Sequence, residues 1–372
     1  ARRLQAGSSS KKGNVLNTLP FYWIKPPAGL TDWHCALAGL FHFSIVTDIL
    51  LEAYVSAQAP RLSYNPCFPT ARAWFTMPQA SSPIGVFDSG VGGLSVLRAL
   101  LAALPHERFV YLADSANAPY GERGDAFVAA RTHAITRYLR EQHDIKALVV
   151  ACNTATAAAI HEVRSSHPDL LLVGLEPAIK SALAVTKTGH VGVIGTRGTL
   201  TSAKFGKLMA SLADQAHFVV QPCDGLAHAI ERSVALPVAP ASYPVESTET
   251  GALCKRYVNA MGAFGTAPGE MDTLVLGCTH YIFVAHELRT LVGPDVQFIE
   301  TGEPVARQTK RLLDAAGLLQ TGGAADGNLS EAGTDATPSA LLLTTGPVAM
   351  MEAAAQRWLN LPAEHCRSVS VR

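Results

Sequence analysis

From residue 83 onward, short and almost unbroken apolar runs alternate with longer stretches in which apolar residues recur at helical spacing. The runs IGVFD (84–88), RFVYLAD (108–114), ALVVA (147–151), LLVGLE (171–176), HVGVIGT (190–196), HFVVQP (217–222) and TLVLG (273–277) read as strands. Helices are expected at LSVLRALLAAL (94–104), across 125–142 and at TATAAAIHEVR (154–164). Strands without polar alternation are buried on both faces. Their regular alternation with helices predicts an α/β architecture of doubly wound parallel sheets. A Gly/Ala/Asp-rich stretch, 317–337, reads as a flexible linker. After it, ALLLTTG (340–346), a helix over 347–359 and a strand near SVSV (368–371) close the chain.

Residues 1–76 break this rhythm. They hold three of the four tryptophans (Trp23, Trp33 and Trp74) and show no amphipathic period. Their most apolar part, CALAGLFHFSIVT (35–47), is too short to span a bilayer and is followed closely by Asp48 and Glu52. It also starts too deep for an ordinary signal peptide. The working chain is therefore expected to begin at Met77, with 1–76 a disordered extension or one outside the fold.

Composition narrows the class. A chain of 372 residues is long enough for two domains, and 48% hydrophobic with 16% charged residues fits a globular enzyme. Formal net charge is zero, although residues 1–76 carry seven Lys/Arg against three Asp/Glu. Nothing in this balance calls for nucleic acid or an anionic membrane as partner. Seven cysteines at irregular spacings, with no CxxC, argue against a disulfide framework or structural zinc and for reduced thiols in a cytoplasm.

In parallel α/β sheets ligands sit beyond the carboxyl ends of the strands. Asp88 and Ser89, Tyr120 and Gly121, Cys152 with Asn153 and Thr154, Thr196, and Cys278 with Thr279 and His280 all fall at or near such ends. Cys152 and Cys278 share a setting: each follows an apolar strand and precedes polar residues. Both are expected to stand just before helices, whose N–H groups and dipole lower a thiol pKa. Asn153, Thr154 and Thr279 can cap those helices or hold a carboxylate. His280 is a candidate proton partner for Cys278, and Asp88 for Cys152. Cys35, Cys67, Cys223, Cys254 and Cys366 read as small core residues. Glu231, on its residue type and setting alone, reads as a solvated helix position. GVFDSGVGGLS and GVIGTRGT lack the dinucleotide and P-loop spacings, so they read as anion-binding turns. No lysine stands in a pattern that suggests pyridoxal phosphate.

Five motifs, FDSGVGGLSVL, LADSANAPYG, ACNTATA, GLEPAIK and VLGCTHY, closely resemble those of the glutamate racemase family, and the likeness spans residues 83–318. The resemblance implies two similar α/β domains related by a pseudo-twofold, with the active site in the cleft between them. The first would comprise 80–175 plus 281–372 and the second 176–280. It implies cofactor-independent racemisation of glutamate, with Cys152 and Cys278 as acid/base thiols, Asp88 and His280 as their proton partners, and Glu231 orienting the histidine. Substrate contacts would come from Asp88, Ser89, Tyr120, Gly121, Asn153, Thr154, Thr196, Thr279 and His280. The family role is supply of D-glutamate for peptidoglycan in the cytoplasm, and the resemblance allows a homodimer and activation by a cell-wall precursor. Ile282 and Phe283 depart from the proline and leucine usual after the tyrosine. Alternative readings are an aspartate or hydantoin racemase, a one-thiol decarboxylase, or an inactive amino-acid-binding relative.

If residues 1–76 lie outside the fold, a chain beginning at Met77 is expected to keep both racemisation rate and unfolding temperature. A large loss of either, measured by chiral assay and thermal unfolding, would show that the extension packs on the catalytic body.

Overall fold

A computed structural model describes residues 79–237, 243–321 and 340–372. The chain divides into two units, 1–73 and 74–372, and all described residues belong to the second. The expectations for 1–76 and for most of the 317–337 linker lie outside the described residues.

The described strands are, in chain order, β1 (Ile84–Asp88), β2 (Phe109–Ala113), β3 (Ala147–Val150), β4 (Leu171–Gly174), β5 (His190–Gly195), β6 (His217–Pro222), β7 (Thr273–Gly277), β8 (Gln297–Ile299), β9 (Ala340–Thr344) and β10 (Cys366–Ser368). They form a six-stranded sheet in the order β10-β9-β2-β1-β3-β4 and a four-stranded sheet in the order β6-β5-β7-β8. Every pairing is parallel. The apolar runs follow from this layering. Ile84, Val86, Ala147 and Val149 face one core of the first sheet, while Phe87, Leu148 and Val150 face the other. In the second sheet Ile194, Leu274 and Leu276 face one core and Val191, Val193 and Val275 the other. Successive side chains point to opposite faces, and on the central strands both faces exclude water, so their interior positions favour apolar residues. Among the described residues no helix is long and apolar enough to cross a membrane.

Two expectations need correction. The division at residue 280 assigned 281–372 to the first sheet, yet β8 pairs with β7 in the second. The preceding helix, Ala285–Val292, buries Leu288 and Val292 in the core that also holds Leu274 and Leu276. The chain rejoins the first sheet's core with the helix Gly302–Ala315, through Val305, Ala306 and Leu313. The last strand is Cys366–Ser368 rather than 368–371, because Cys366, buried in that core, sets the register opposite Leu342.

At the amino end of the first sheet an ion pair closes the structure. Lys146 and Glu107 side chains are fully buried, with Nζ 2.5 Å from Oε2. Lys146 also donates to the carbonyls of Ala80 and Leu318, and Glu107 Oε1 accepts from Gln320 N at 2.8 Å. The pair thus holds both the start of the described chain and the segment after the helix Gly302–Ala315. Lys146→Met leaves a buried carboxylate without its counter-charge and is expected to cost about 3–5 kcal/mol in denaturant unfolding, while adding Glu107→Leu restores most of the loss. A cost below about 1 kcal/mol for the single change would mean that the carboxylate is reached by water.

Candidate active site

Parallel strands bring their carboxyl ends to one edge, and the site is built there. β1 ends at Asp88, and the chain then turns through SGVGG. The turn folds back on the carboxylate: Oδ1 accepts Ser89 N at 2.7 Å and Oδ2 accepts Gly93 N at 2.5 Å. Asp88 is fully buried. Burial raises its pKa above the ordinary carboxylate value; His280 opposes the rise and Glu231 adds to it. Tyr111, from β2, fixes the turn by donating from its hydroxyl to Gly90 O at 2.6 Å.

Cys152 follows β3 and caps the helix Asn153–Ser166, its sulfur accepting from Ala155 N at 3.5 Å. Ser89 Oγ lies 3.8 Å from that sulfur. The expected helix N-terminus is therefore present. Its effect is outweighed, because burial and then the Asp88 charge push the thiol well above its ordinary pKa, against the pull of the Ala155 and Ser89 hydrogen bonds. Cys278, directly after β7, differs from expectation in another way. No α-helix starts beside it. The chain makes a turn and a 3₁₀ segment, Tyr281–Val284, before the helix begins at Ala285. What stands at Cys278 is His280, with Nδ1 3.6 Å from the sulfur.

The other edge of His280 meets Glu231, Nε2 to Oε1 at 2.6 Å. Burial alone would lower the imidazole pKa. The hydrogen bonds to Cys278 and Glu231 outweigh it, and the pKa stands well above the ordinary value. The ring stands between sulfur on one side and carboxylate on the other, a setting that favours its protonated form. Glu231 lies on the helix Leu226–Ser233, and Oε1 also accepts Val91 N at 2.7 Å. It is no solvated helix position. Glycine is required around it for steric reasons: a Cβ at Gly90 would stand 1.9 Å from Glu231 Oε1, and one at Gly92 2.3 Å from His280 Nδ1.

Hydrogen bonds connect the surroundings of the two thiols. Ser89 is bonded to Asp88, and Thr279 Oγ1 lies 3.4 Å from Asp88 Oδ2. Ser95 Oγ donates to Thr279 O at 3.1 Å, tying the first sheet's turn and helix to the Cys278 loop. Asn153 is buried, and neither polar atom of its amide has a hydrogen-bond partner among the described residues. A buried amide left in this state points to a polar ligand. Thr154, from the first sheet, meets Thr196 at 3.1 Å and Thr199 at 3.3 Å, both from the end of β5. Thr199 escaped the sequence reading, although Thr196 and Thr199 stand three apart at a helix start, a spacing that puts two hydroxyls side by side.

Tyr120 and Gly121 follow β2. The Tyr120 hydroxyl is committed to Asp114 Oδ2 at 2.5 Å, so it is not free to act on a substrate. Gly121 packs on Thr196, where a Cβ would approach to 2.7 Å. Asp114 also receives Arg131 in a bidentate pair at 2.9 Å and Thr345 Oγ1 at 2.9 Å. Burial would raise its pKa, but these bonds win and hold it low. Asp114 and Arg131 gave no sequence signal, because a single acid at a strand end and a helical arginine do not reveal their pairing. Among the described residues all five cysteines are free and buried, and no group of three His, Cys, Asp or Glu is placed to hold a metal.

The arrangement offers two thiols at strand ends, each with its own proton-handling neighbours, and amide and hydroxyl groups suited to a small polyanion. Residues 84–309 match the Asp/Glu/Hydantoin racemase family. A glutamate racemase of Ectopseudomonas mendocina is 46% identical over 245 residues, 66% of this chain and 87% of that protein. Among solved structures, a glutamate racemase isoform of Bacillus anthracis is 30% identical with a TM-score of 0.63, covering 79% of this chain and 98% of that one. Escherichia coli glutamate racemase, in complex with L-glutamate and the activator UDP-MurNAc-Ala, is 26% identical with a TM-score of 0.60, covering 74% and 95%. The chain therefore belongs to the Asp/Glu/Hydantoin racemase family and, within it, to the glutamate racemases.

Proposed function

We propose that this glutamate racemase works without a cofactor, through Cys152 and Cys278 acting on opposite faces of the substrate α-carbon. The observation that carries the reading is the pair of buried cysteines at strand carboxyl ends, joined through the hydrogen-bonded chain Ser89–Asp88–Thr279. Racemisation removes the α-proton from one face and returns a proton to the other. A single base would have to turn the substrate over. With two thiols, one sulfur takes the proton as the C–H bond breaks, and the other gives its proton as a new C–H bond forms. Asp88 with Ser89 serves Cys152, and His280, oriented by Glu231, serves Cys278. The buried Asn153 amide, the hydroxyls of Thr154, Thr196 and Thr279, and the backbone at Tyr120 and Gly121 would hold the carboxylates. Such fixed donors stabilise the carbanion-like transition state.

The same reading takes the chain's product to peptidoglycan synthesis in the cytoplasm, a setting that suits its free thiols. Activation by a cell-wall precursor is supported by the Escherichia coli relative alone. The sheets and their cores support a division into two domains with the segment from the helix Gly302–Ala315 onward returning to the first, and a homodimer is the assembly the family likeness suggests.

By family likeness, Cys278 takes the proton from L-glutamate and Cys152 from D-glutamate. Early turnover of L-glutamate in heavy water is then expected to give D-glutamate fully deuterated at the α-carbon, while remaining L-glutamate stays mostly unlabelled. Cys152→Ser and Cys278→Ser are each expected to lower kcat by on the order of 10²–10⁴-fold. Retention of the original proton in the product would mean that one base serves both faces. Near-normal activity in either serine variant would return that cysteine to the core.

His280→Asn is expected to lower kcat from L-glutamate more than kcat from D-glutamate, by about tenfold or more in the first direction. The equilibrium constant of one makes the KM values shift in compensation. An equal change in both KM values, with both kcat values intact, would make His280 a binding residue instead.

A further inference from the structure

The helix Val348–Leu359 buries Met351, Ala354 and Ala355 in the core of the first sheet. Its last turn does something else. Trp358 lies flat on Phe283, with ring centroids 3.7 Å apart and planes 4° from parallel. Both rings pack against the first sheet's core and also against the second-sheet core that contains Cys278, Tyr281 and Val284. Beside it, Arg357 Nη1 donates to the carbonyls of Ser233 at 3.0 Å and Leu236 at 3.4 Å. Ser233 ends the helix Leu226–Ser233 and Leu236 lies in the turn that follows, where a cation complements the helix dipole.

Two successive side chains of one helix therefore hold the two segments that carry His280 and Glu231. Phe283 N donates to His280 O at 3.0 Å, so the stacked ring is one turn of chain from the imidazole. Ser233 is two residues beyond Glu231 on the same helix. The His280–Glu231 bond is 2.6 Å long, and a small relative shift of its two carriers would lengthen or bend it.

We propose that Trp358, through Phe283, and Arg357, through the end of the helix Leu226–Ser233, are positioning residues that hold His280 and Glu231 in register. The proposal rests on the reading of that pair as the proton partner of Cys278. Neither residue touches the reacting atoms. Their effect is on the geometry of the pair, and it vanishes once the pair is broken.

A double-mutant cycle tests this on the full chain, with Trp358→Leu, Glu231→Gln and the combination, measured as kcat and KM from L-glutamate alongside thermal unfolding. Trp358→Leu is expected to lower kcat about fivefold to tenfold with KM within about twofold, and in the Glu231→Gln background the same change is expected to cost less than about twofold. Trp358→Phe, which keeps a ring on Phe283, is expected to restore most of the rate. Losses that multiply in full, or a wild-type kcat per folded molecule in Trp358→Leu, would overturn the proposal while leaving the role of the pair intact. A normal kcat in Glu231→Gln itself would remove the role of the pair, and the proposal with it. Should Trp358→Leu not fold, the exposed Arg357 carries the same cycle as Arg357→Met, with the same two outcomes.

Discussion

Glu231 Oε1 accepts two hydrogen bonds, from Val91 N on the first sheet's glycine turn and from His280 Nε2 on the loop that follows β7. The first of these crosses between structures built on different sheets. Through it, one carboxylate oxygen sets the distance between the Asp88 turn and the Cys278 loop. The turn accepts this arrangement only because Gly90 and Gly92 leave room for the Glu231 carboxylate and the His280 ring. At Gly90 and Gly92 the side chain is excluded by the partner, so these glycines of SGVGG serve close approach. Tyr111 beneath and Ser95 beside the turn complete its support.

Burial concentrates the electrostatics. Asp88, Glu231 and His280 are packed close together, where charges act across low dielectric and each shifts the next. Burial and the Glu231 charge raise Asp88, burial and Asp88 raise Cys152, and hydrogen bonds to Cys278 and Glu231 raise His280 against its own burial. The site therefore favours proton retention at Cys152 and at His280. In the proposed mechanism this suits Cys152 to the role of proton donor and sets an acid group beside Cys278. A substrate bringing its ammonium and carboxylates into the same space changes the local charge, so the resting protonation is the starting point of turnover and not its working state.

Much of this was legible in the sequence, and the misses have physical causes. Strands buried on both faces are continuous apolar runs, so β1 to β5, β7 and β9 stood out, and the half-exposed edge strand β6 was marked by its β-branched run HFVVQP. β8 did not, since an edge strand of three residues with Gln297 exposed carries little signal. The helices Leu226–Ser233 and Glu249–Asn259 each bury a narrow stripe, and local pattern leaves them ambiguous. The helix start after Cys152 was readable from CNTATA, because Asn and Thr after a strand end mark one, but the cap is the cysteine itself and Asn153 and Thr154 lie within the first turn. The pKa of that thiol was not readable, because burial and Asp88 come from the tertiary fold. For Cys278 the same local logic failed, as the residues HYIFV make a 3₁₀ turn instead of a helix. Glu231 became visible only through family likeness, since its partners stand 49 and 140 residues away.

The two thiols are matched in place and unmatched in support. Cys152 has a helix N-terminus, Ser89 and a buried carboxylate nearby; Cys278 has a histidine tied to Glu231. A racemase does not need identical halves. The enantiomers are equal in free energy, so the ratio of kcat/KM in the two directions is fixed at one whatever the protein does. The enzyme remains free to divide each kcat/KM differently between binding and turnover. A thiol held in its protonated form by burial suits the donor role in one direction and must release its proton to act in the other. The His280 ring beside the second sulfur can take up a proton as imidazole and supply it as imidazolium. Asymmetric support is then a way of giving two chemically equal directions different saturation behaviour, and it explains why the chain duplicates the strand-then-cysteine device while surrounding each copy with different residues.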